Sequence, residues 1–498
     1  MSKRQHLFIL VGILTMAAAI RTWAAVSDHS IFWPDEIYQS LEPAHRVAFG
    51  NGLEAWEFRD GARSWLFPGL LALVLRAGSV WGVQSGIGLV VFARLFMVAL
   101  ALVSVWASMR LAERLAGRAA AWLAGAMTAL SPPLIVFGHR CMPEMMSATL
   151  IVVVALWITS GSRWRHFGAG FLMGAAVFLR YQNGLVALGF LIWLALQRRR
   201  IAAAHYLAAL LCAGLGGAIL DWLTWGVPLH SFFAYVQFNL LENGASRFGT
   251  ESSTYYFVHL FTATGPAFVA VAIGFVACAS RLRGLALIVL AYLFAHSLIP
   301  HKELRFALPI LPLLLSLSAV GIVMLANETQ YRRRWLAAIT VTTSALFALQ
   351  TLRPTFGEYG QYLQNESARK RVVWHSGEAV NRVLSMAGQR DDICGVMLLA
   401  RNAAWTGGYS YLHRKVPLFW RLSLADEFRA NYIIAHRTSE ETVPSVYQRV
   451  GLVGSVGLYR RDGGCMTSPR SVRSILPGAD TMGLHPLTIP PAPPVQGG

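Results

Sequence analysis

The sequence predicts an α-helical polytopic membrane protein with about eleven transmembrane helices, followed by a small extracytoplasmic α/β domain. Two observations on composition support this fold class: 55% of the 498 residues are hydrophobic and only 14% are charged, and the mean hydropathy is +0.48. A third is the alternation of long apolar stretches with short arginine clusters. A soluble chain of this length needs more surface charge to stay dispersed, so the composition excludes that class.

Apolar stretches long enough, or nearly long enough, to cross a bilayer recur through the first two thirds of the chain. A transmembrane helix needs roughly 20 apolar residues, and the shorter stretches are expected to be tilted or broken. The predicted spans are approximately 7–26, 87–108, 119–138, 145–160, 166–182, 184–197, 201–220, 257–279, 284–299, 307–326 and 335–353.

Basic clusters occupy every second connection between these stretches, which predicts their orientation. The clusters are Lys3 and Arg4; Arg110, Arg114 and Arg118; Arg163 and Arg165; Arg198 to Arg200; Arg281 and Arg283; and Arg332 to Arg334. By the positive-inside rule these loops and the N-terminus lie in the cytosol. The first external loop is then 27–86, within which 66–80 is predicted as a helix along the outer membrane surface.

The net charge of +18 does not indicate a nucleic-acid partner, because the basic residues stand singly or in short clusters between apolar runs. Arginine far outnumbers lysine, which is typical of a GC-rich genome and favours a bacterial inner membrane over an endoplasmic reticulum membrane. An alternative interpretation of the first apolar stretch is a cleaved signal peptide. Arg21 interrupts the expected cleavage region and therefore favours a retained helix.

The composition changes after residue 353. Residues 392–400 and 430–437 are predicted to form buried strands, and 448–461 a hairpin. The predicted organisation is a membrane body over 1–353, an extracytoplasmic α/β domain over 354–465 and a disordered Pro- and Gly-rich tail over 466–498.

Two of the five cysteines, Cys394 and Cys465, lie in this external part of the chain. We expect them to form a disulfide that brackets the small domain, since an external compartment permits oxidation. The alternative is two unrelated cysteines, because pairing requires Cα atoms within roughly 7 Å.

The stretch FWPDEIYQSLEPAHRVAFGNG (32–52) concentrates acids in an apolar chain, and seven of the 25 acidic residues lie between Asp28 and Asp60. Basic residues that break the orientation pattern map to the same predicted external face: Arg63, Arg140, Arg180, Arg247, His301, Lys302 and Arg305. Charges at membrane depth are costly and usually line an aqueous cavity or pair with one another. Each residue alone also has a simpler reading as a solvated loop charge or a snorkelling side chain. Together they predict an external site with a base and an anion clamp.

Three segments resemble one enzyme family. WPDEIYQSLEPAH with RDGARSWLFPG resembles the first-loop signature of the lipid-phosphate-mannose-dependent mannosyltransferases that build GPI anchors and the asparagine-linked glycan precursor. HKELRFALPILP (301–312) and the stretch from Asp221 to Tyr256 resemble two later elements of that family. The first-loop elements stand at Pro34, Asp35, Glu36, Tyr38, Gln39, Glu42, Trp56, Glu57, Gly61, Arg63, Ser64 and Trp65.

The resemblance implies a GT-C glycosyltransferase fold with catalytic residues in external loops. The implied donor is a sugar on a polyprenyl or dolichyl phosphate, the acceptor is a glycan or glycolipid, and no cofactor or metal is expected because Lys and Arg can meet a phosphate leaving group. Alternatives are a transferase for another lipid-linked sugar, such as arabinose or glucose, and a secondary transporter.

The resemblance implies the role of Asp35, and charge and predicted position indicate roles for the other candidates. Asp35 is the expected catalytic base, and Glu36 orients it or holds an acceptor hydroxyl. His301, Lys302, Arg305 and Arg180 are expected to bind the donor phosphate. The remaining candidates, expected to contact sugars or hold loops together, are Arg63, Arg140, Glu144, Asp221, Asn239 and Tyr255.

Overall fold

The computed structural model of the chain describes residues 2–360, 366–399, 406–420, 429–437 and 443–465. The predicted tail, 466–498, lies outside these residues. The helices are α1 Lys3–Ser27, α2 Glu42–Phe49, α3 Trp56–Arg59, α4 Leu66–Val80, α5 Gly86–Ala116, α6 Arg118–Leu130, α7 Pro132–Val136, α8 Pro143–Ile158, α9 Arg163–Leu179, α10 Gly184–Leu196, α11 Arg200–Trp225, α12 His230–Val236, α13 Tyr255–Thr264, α14 Phe268–Arg281, α15 Arg283–Leu298, α16 Leu311–Asn327, α17 Arg332–Leu352, α18 Glu366–Arg369, α19 Glu378–Gly388 and α20 Gly408–Leu412.

Every predicted span is helical over most of its length. Within the described residues, six helices are long and apolar enough to cross a membrane on their own. Shorter apolar helices include Pro143–Ile158 and Arg283–Leu298, and the predicted surface helix is present as Leu66–Val80. The polytopic helical class is therefore confirmed, whereas the number of spans and their orientation stay predictions.

The chain divides into two compact units, and each is discontinuous in sequence. The first comprises Met1–Ala24 with Met97–Val372, and the second comprises Ala25–Phe96 with Val373–Gly498. The first unit is a helical body. The second combines the first external loop with the small sheet.

In the first unit, small residues let helix backbones touch. A Cβ atom added to Gly321 of α16 would overlap the carbonyl oxygen of Gly274 of α14, and one added to Gly274 would overlap the carbonyl oxygen of Ser318. Glycine is required at both positions for this contact. Close approach through small residues is the usual way in which helices associate where apolar burial gives no advantage over lipid.

The predicted span 119–138 is broken into α6 and α7 by Pro132 and Pro133. Neither proline has an N–H group, so the carbonyl oxygens four residues earlier, on Thr128 and Ala129, have no helical donor. The buried Arg21 of α1 donates to both, from Nη2 to Thr128 O (3.1 Å) and from Nη1 to Ala129 O (2.8 Å). Arg21 therefore completes the hydrogen bonding of a broken helix.

The second unit contains a five-stranded sheet in the order β2-β1-β3-β5-β4. The strands are β1 Val396–Leu398, β2 Leu418–Trp420, β3 Tyr432–His436, β4 Gln448–Val453 and β5 Val456–Arg460. β1 runs parallel to β2 and β3, whereas β5 runs antiparallel to β3 and β4. The predicted strands and the hairpin are confirmed. The sequence reading missed β2, which has only three residues and follows Pro417.

The predicted disulfide is also confirmed. Cys394 and Cys465 are bonded, with their Cα atoms 5.7 Å apart and a sequence separation of 71. Cys394 stands just before β1 and Cys465 stands shortly after β5, so the bond joins the beginning and the end of the sheet. Asn431 stabilises the same corner, because its side-chain oxygen accepts from the backbone N–H of Cys394 at 3.0 Å.

Candidate active site

The first loop becomes helical at Asp35. The carbonyl oxygen of Pro34 accepts hydrogen bonds from the N–H groups of Ile37 (2.9 Å) and Tyr38 (3.0 Å), which makes Asp35 part of a first helical turn. Proline is well suited to this start because its ring fixes φ near the helical value. The segment Ile37–Leu41 continues as a single π-helical turn before α2. Such turns are rare and frequently occur at functional sites.

Asp35 belongs to a small polar cluster in the second unit. The Gln39 amide nitrogen donates to Asp35 Oδ1 (2.5 Å) and to Glu57 Oε1 (2.8 Å), so that one amide bridges two carboxylates. Burial raises the pKa of Glu57; the positive charge of Arg63 opposes this rise and the negative charge of Asp35 adds to it. Asp35 itself is half-buried, whereas Glu57 is buried.

Glu36 makes a different contact from its neighbour. Its carboxylate forms a two-point ion pair with Arg94 of α5, with Arg94 Nε and Nη2 each 3.1 Å from a Glu36 oxygen. Both side chains are buried, and Arg94 Nη1 also donates to the carbonyl oxygen of Asp28. Arg94 therefore joins the two ends of the segment that carries Asp35. This arrangement supports the orienting role expected for Glu36.

Glu42, the last acid of the first motif, is a buried structural residue. Its oxygens accept from the backbone N–H of Leu53 (2.7 Å), the backbone N–H of Ser410 (2.6 Å) and the Ser410 hydroxyl (2.5 Å). Desolvation raises the pKa of Glu42 to about 7, against the hydrogen bonds that lower it. These contacts hold the first loop to α20 within the second unit.

A second cluster lies in the first unit and contains five of the predicted residues. Glu144, in the first turn of α8, is fully buried and forms ion pairs with Arg180 and with Arg305 Nη1 (3.1 Å). Arg305 also donates to Glu303, through Nε at 2.7 Å and Nη2 at 3.0 Å. The guanidinium groups of Arg180 and Arg305 lie 4.5 and 5.1 Å from the centre of the Phe306 ring. The two arginines therefore flank one aromatic ring and share one carboxylate.

His301 and Lys302 complete this cationic cluster. His301 Nε2 lies 3.0 Å from Glu303 Oε1. Burial lowers the pKa of His301, but the hydrogen bond and the charge of Glu303 outweigh it and leave the pKa raised. Lys302 is buried, and its Nζ donates to the backbone carbonyl oxygen of Glu251 at 2.8 Å. Arg180 and Arg305 face the carboxylates Glu144 and Glu303, and the negative charge of Glu251 acts on Lys302, so cations and carboxylates balance before His301 is counted.

Several buried polar atoms around Arg180 have no hydrogen-bond partner among the described residues: Glu144 Oε2, Arg180 Nε, Tyr256 OH and His296 Nε2. The charge of Arg180 acts on both Tyr256 and His296, which places them in its neighbourhood. Buried polar groups normally have partners, and exceptions need an explanation. Arg180 Nε donates and Glu144 Oε2 accepts, so a ligand that offers both acceptor oxygens and hydroxyl donors would satisfy them.

The other predicted residues have contacts of their own. Asp221, at the end of α11, accepts from the Ser231 N–H (2.9 Å) and hydroxyl (2.5 Å) and so fixes the start of α12. Asn239 donates to the carbonyl oxygen of Tyr235 (3.0 Å), and the Tyr255 hydroxyl donates to the carbonyl oxygen of Gly360 (2.9 Å). Arg140 Nε donates to the carbonyl oxygen of Val136 (3.1 Å). For these residues the contacts support the loop-holding role rather than a sugar contact.

The sequence reading missed Arg94, Gln39, Glu303, Tyr256 and His296 as site residues. Arg94 was detectable, since it breaks the orientation pattern near the external end of a predicted span. Gln39, Glu303 and Tyr256 stand inside the recognised motifs. His296 had only a weak signal, a lone histidine at the end of an apolar stretch.

One further cluster has the chemistry of a metal site. Ligand atoms of Asp28, His375 and Glu378 lie within 4.8 Å of one another in the second unit. Asp28 already accepts from Ser30 and from the His375 N–H (3.0 Å), and Glu378 accepts from His375 Nδ1 (2.8 Å) and Arg382 (3.2 Å). A cation would have to compete with these donors.

Comparison with solved structures identifies the fold. The structure of ArnT from Cupriavidus metallidurans bound to undecaprenyl phosphate matches with a TM-score of 0.60 and 13% identity, over 92% of this chain and 98% of that one. The Archaeoglobus fulgidus oligosaccharyltransferase in complex with Zn and sulfate matches with a TM-score of 0.54 and 12% identity, over 87% and 68% of the two chains. The GT-C fold class is thus confirmed.

Comparison with curated sequences identifies the family. GPI mannosyltransferase 3 of Yarrowia lipolytica is 27% identical over 70% of this chain and 69% of its own length, and that of Drosophila melanogaster is 26% identical over 61% and 55%. The chain thus spans little more than half the length of the second relative. The profile of the Alg9-like mannosyltransferase family matches residues 12–372, which include both clusters, and the chain belongs to this family of glycosyltransferases.

Proposed function

We propose that this protein is an inverting mannosyltransferase that moves a sugar from a polyprenyl- or dolichyl-phosphate donor to a glycan or lipid-linked acceptor on the external face of the membrane. The observation that carries the proposal is the buried cluster of Arg180, Lys302 and Arg305, in which Arg180 Nε has no hydrogen-bond partner among the described residues. Such a cluster suits a phosphate, which brings negative charge and several acceptor oxygens.

Two lines of comparison support the substrate classes. Relatives in Yarrowia and Drosophila are named GPI mannosyltransferase 3, which favours mannose as the sugar. Structures with the same fold were solved with undecaprenyl phosphate and with dolichol-phosphate, which favours a polyprenyl phosphate as the carrier. No metal is part of the proposal, because two arginines and a lysine can stabilise a departing phosphate.

The chemical step follows from these roles. The acceptor oxygen forms a bond to the anomeric carbon while the bond from that carbon to the phosphate oxygen breaks. Asp35 takes the acceptor's hydroxyl proton, and the lipid phosphate leaves with the bonding electrons. Positive charge on Arg180, Lys302 and Arg305 stabilises the charge that develops on the phosphate. Inversion follows because attack and departure occur on opposite faces of the sugar carbon.

A donor assay with the purified full-length chain tests the proposal. The protein is given polyprenyl-phosphate mannose, glucose or arabinose together with a glycolipid acceptor, and the products are analysed by mass spectrometry. We expect mannose transfer with inversion at the anomeric carbon. Transfer of arabinose or glucose alone would change the sugar but keep the reaction class. Transport of a lipid-linked sugar without any new glycosidic bond would overturn the enzyme assignment.

A further inference from the structure

A pocket in the first unit lies at the ends of α8 and α9 opposite to those that carry Glu144 and Arg180. It has a volume of about 340 Å³ and lies where the last turns of α5, the end of α8 and the start of α9 meet. Its lining includes Trp106, Arg110, Glu113, Arg114, Trp157 and Arg165. The arginines belong to clusters that the positive-inside rule predicts to be cytosolic.

The charges in this pocket are unbalanced. Three guanidinium groups line it, and Glu113 is the carboxylate among the lining residues. Glu113 is shared, because it pairs with Arg110 and also lies 3.1 Å from His6 Nε2. Arg114 donates a hydrogen bond to the carbonyl oxygen of Leu156 (2.8 Å). The positive charges of Arg110 and Arg165 act on its guanidinium group. Like charges that converge on one concave site repel each other unless an anion joins them.

The orientation rule accounts for arginines on this side but not for their convergence on one pocket. Two further features indicate the ligand. Arg165 lies in the first turn of α9, where the helix dipole also favours an anion. Trp106, 43% exposed, and Trp157 provide apolar walls of the kind that tryptophan contributes at membrane–water interfaces. The pocket therefore combines an anion site with an apolar border.

We propose that this pocket binds the phosphate headgroup of an anionic phospholipid from the cytosolic leaflet. Arg110, Arg114 and Arg165 would bind the phosphate oxygens, and Trp106 and Trp157 would contact the glycerol and the upper acyl chains. Basic pockets between transmembrane helices on the cytosolic side are a recurrent solution for such headgroups. The proposal does not depend on which sugar the enzyme transfers.

Native mass spectrometry of the detergent-purified full-length chain tests it. Phosphatidylglycerol and phosphatidylcholine with identical acyl chains are added in equal amounts, and we expect preferential retention of phosphatidylglycerol. Arg110→Gln with Arg165→Gln should weaken that retention by about fivefold for each arginine removed. The matched control is Arg281→Gln with Arg283→Gln, two arginines of the short connection between α14 and α15 that are predicted on the same side. It should bind like the wild type.

Glu113→Gln gives a test that misfolding cannot imitate, because removal of the carboxylate should strengthen phosphatidylglycerol binding. Equal binding of the two lipids, or unchanged binding in the Arg110 and Arg165 variant, would overturn the proposal. Full displacement by millimolar inorganic phosphate, with phosphatidylglycerol bound no better than phosphatidylcholine, would assign the pocket to a soluble phosphate and would likewise overturn the lipid assignment.

Discussion

Asp35, Glu36 and Glu42 are carboxylates of one short segment, and each has different partners. Asp35 is half-buried and accepts from the amide of Gln39. Glu36 is buried in an ion pair with Arg94, and Glu42 is buried on the backbone and hydroxyl of Ser410. Partial exposure of the residue therefore distinguishes Asp35 from the other two. A general base needs access to a substrate proton as well as a carboxylate.

Asp35→Asn should abolish most turnover while the protein still inserts and binds donor. The amide keeps the shape but does not accept a proton, and loss of a general base costs about 10²–10⁴-fold in rate. The measurement is kcat with purified donor and acceptor. Asp60→Asn, an exposed carboxylate of the same loop that pairs with Arg59, is the matched control and should keep wild-type rates. A fully active Asp35→Asn enzyme would make the motif structural.

Lys302→Ala or Arg305→Ala should weaken donor binding. A charge-assisted hydrogen bond contributes about 1.5–3 kcal/mol, which corresponds to roughly 10- to 150-fold in affinity. Binding of a polyprenyl-phosphate donor is measured directly, and acceptor binding in parallel. Arg247→Ala serves as control, since that basic residue lies on the same predicted face and its side chain contacts Phe238. If donor affinity holds and acceptor affinity falls, the phosphate is bound elsewhere.

Glu42 should make stability depend on pH. Its pKa is about 7 in the folded protein and 4.5 in its ordinary state, so the folded state binds the extra proton between these values. Glu42 therefore makes its full contribution to the free energy of unfolding below about pH 4.5. This contribution is lost as the pH rises to about 7. Thermal unfolding from pH 4.5 to 7.5 should show this decline in the wild type and a smaller one in Glu42→Gln. Glu54→Gln, at a partly exposed ion pair, should keep the wild-type slope.

At the scale of elements, the helices were predictable and their interruptions were not. Apolar length alone indicated every predicted span, because a bilayer demands it. The break at Pro132 lies inside an apolar run. A proline in such a run does not indicate which side chain will replace the backbone N–H donors that the helix loses there. The π-helical turn at Ile37–Leu41 has no composition signal, and β2 is too short to show a pattern. The periodicity of a sequence indicates which residues are buried, whereas these features depend on individual hydrogen bonds.

In the candidate site, too, some features were predictable from the sequence and others were not. Arg305 and Glu144 were found because charge is rare in an apolar chain. Their pairing was not predictable, since Glu144 and Arg305 are separated by 161 residues. Arg94 was missed for the same reason, because its partner Glu36 lies 58 residues away. Sequence indicates which residues are costly to bury, whereas partners are fixed by the packing of distant segments.

Arg21→Met should destabilise the helical body. The substitution leaves two buried carbonyl oxygens without donors, and each costs about 1–3 kcal/mol. Arg21→Lys, which offers a single ammonium, should lie between the variant and the wild type. The decisive comparison uses Pro132→Ala with Pro133→Ala, which restores helical N–H groups to Thr128 and Ala129 and should reduce the cost of Arg21→Met. The unfolding temperature measures each variant, and full additivity would contradict the role given to Arg21.

At the scale of the whole molecule, the prediction that governs the proposed chemistry is its orientation. Reporter fusions after residue 354 should behave as external and fusions within 198–200 as cytosolic, because the arginine clusters follow the positive-inside rule. The disulfide between Cys394 and Cys465 agrees with an oxidising compartment for the C-terminal part. A cytosolic signal after residue 354 would reverse the orientation and remove the external site with it.

The hydrogen bonds from Ser410 to Glu42 join residues that are 368 positions apart. During synthesis the segment with Asp35 emerges before Ser410, because all the predicted spans lie between the first loop and α20 or before that loop. A chain that stops after the membrane helices contains Asp35 and the cationic cluster, yet its first loop lacks this anchor. The segment that carries Asp35 therefore gains its full set of hydrogen bonds only after Ser410 has been translated, and a truncated chain is expected to keep the cationic cluster with a less stable first loop.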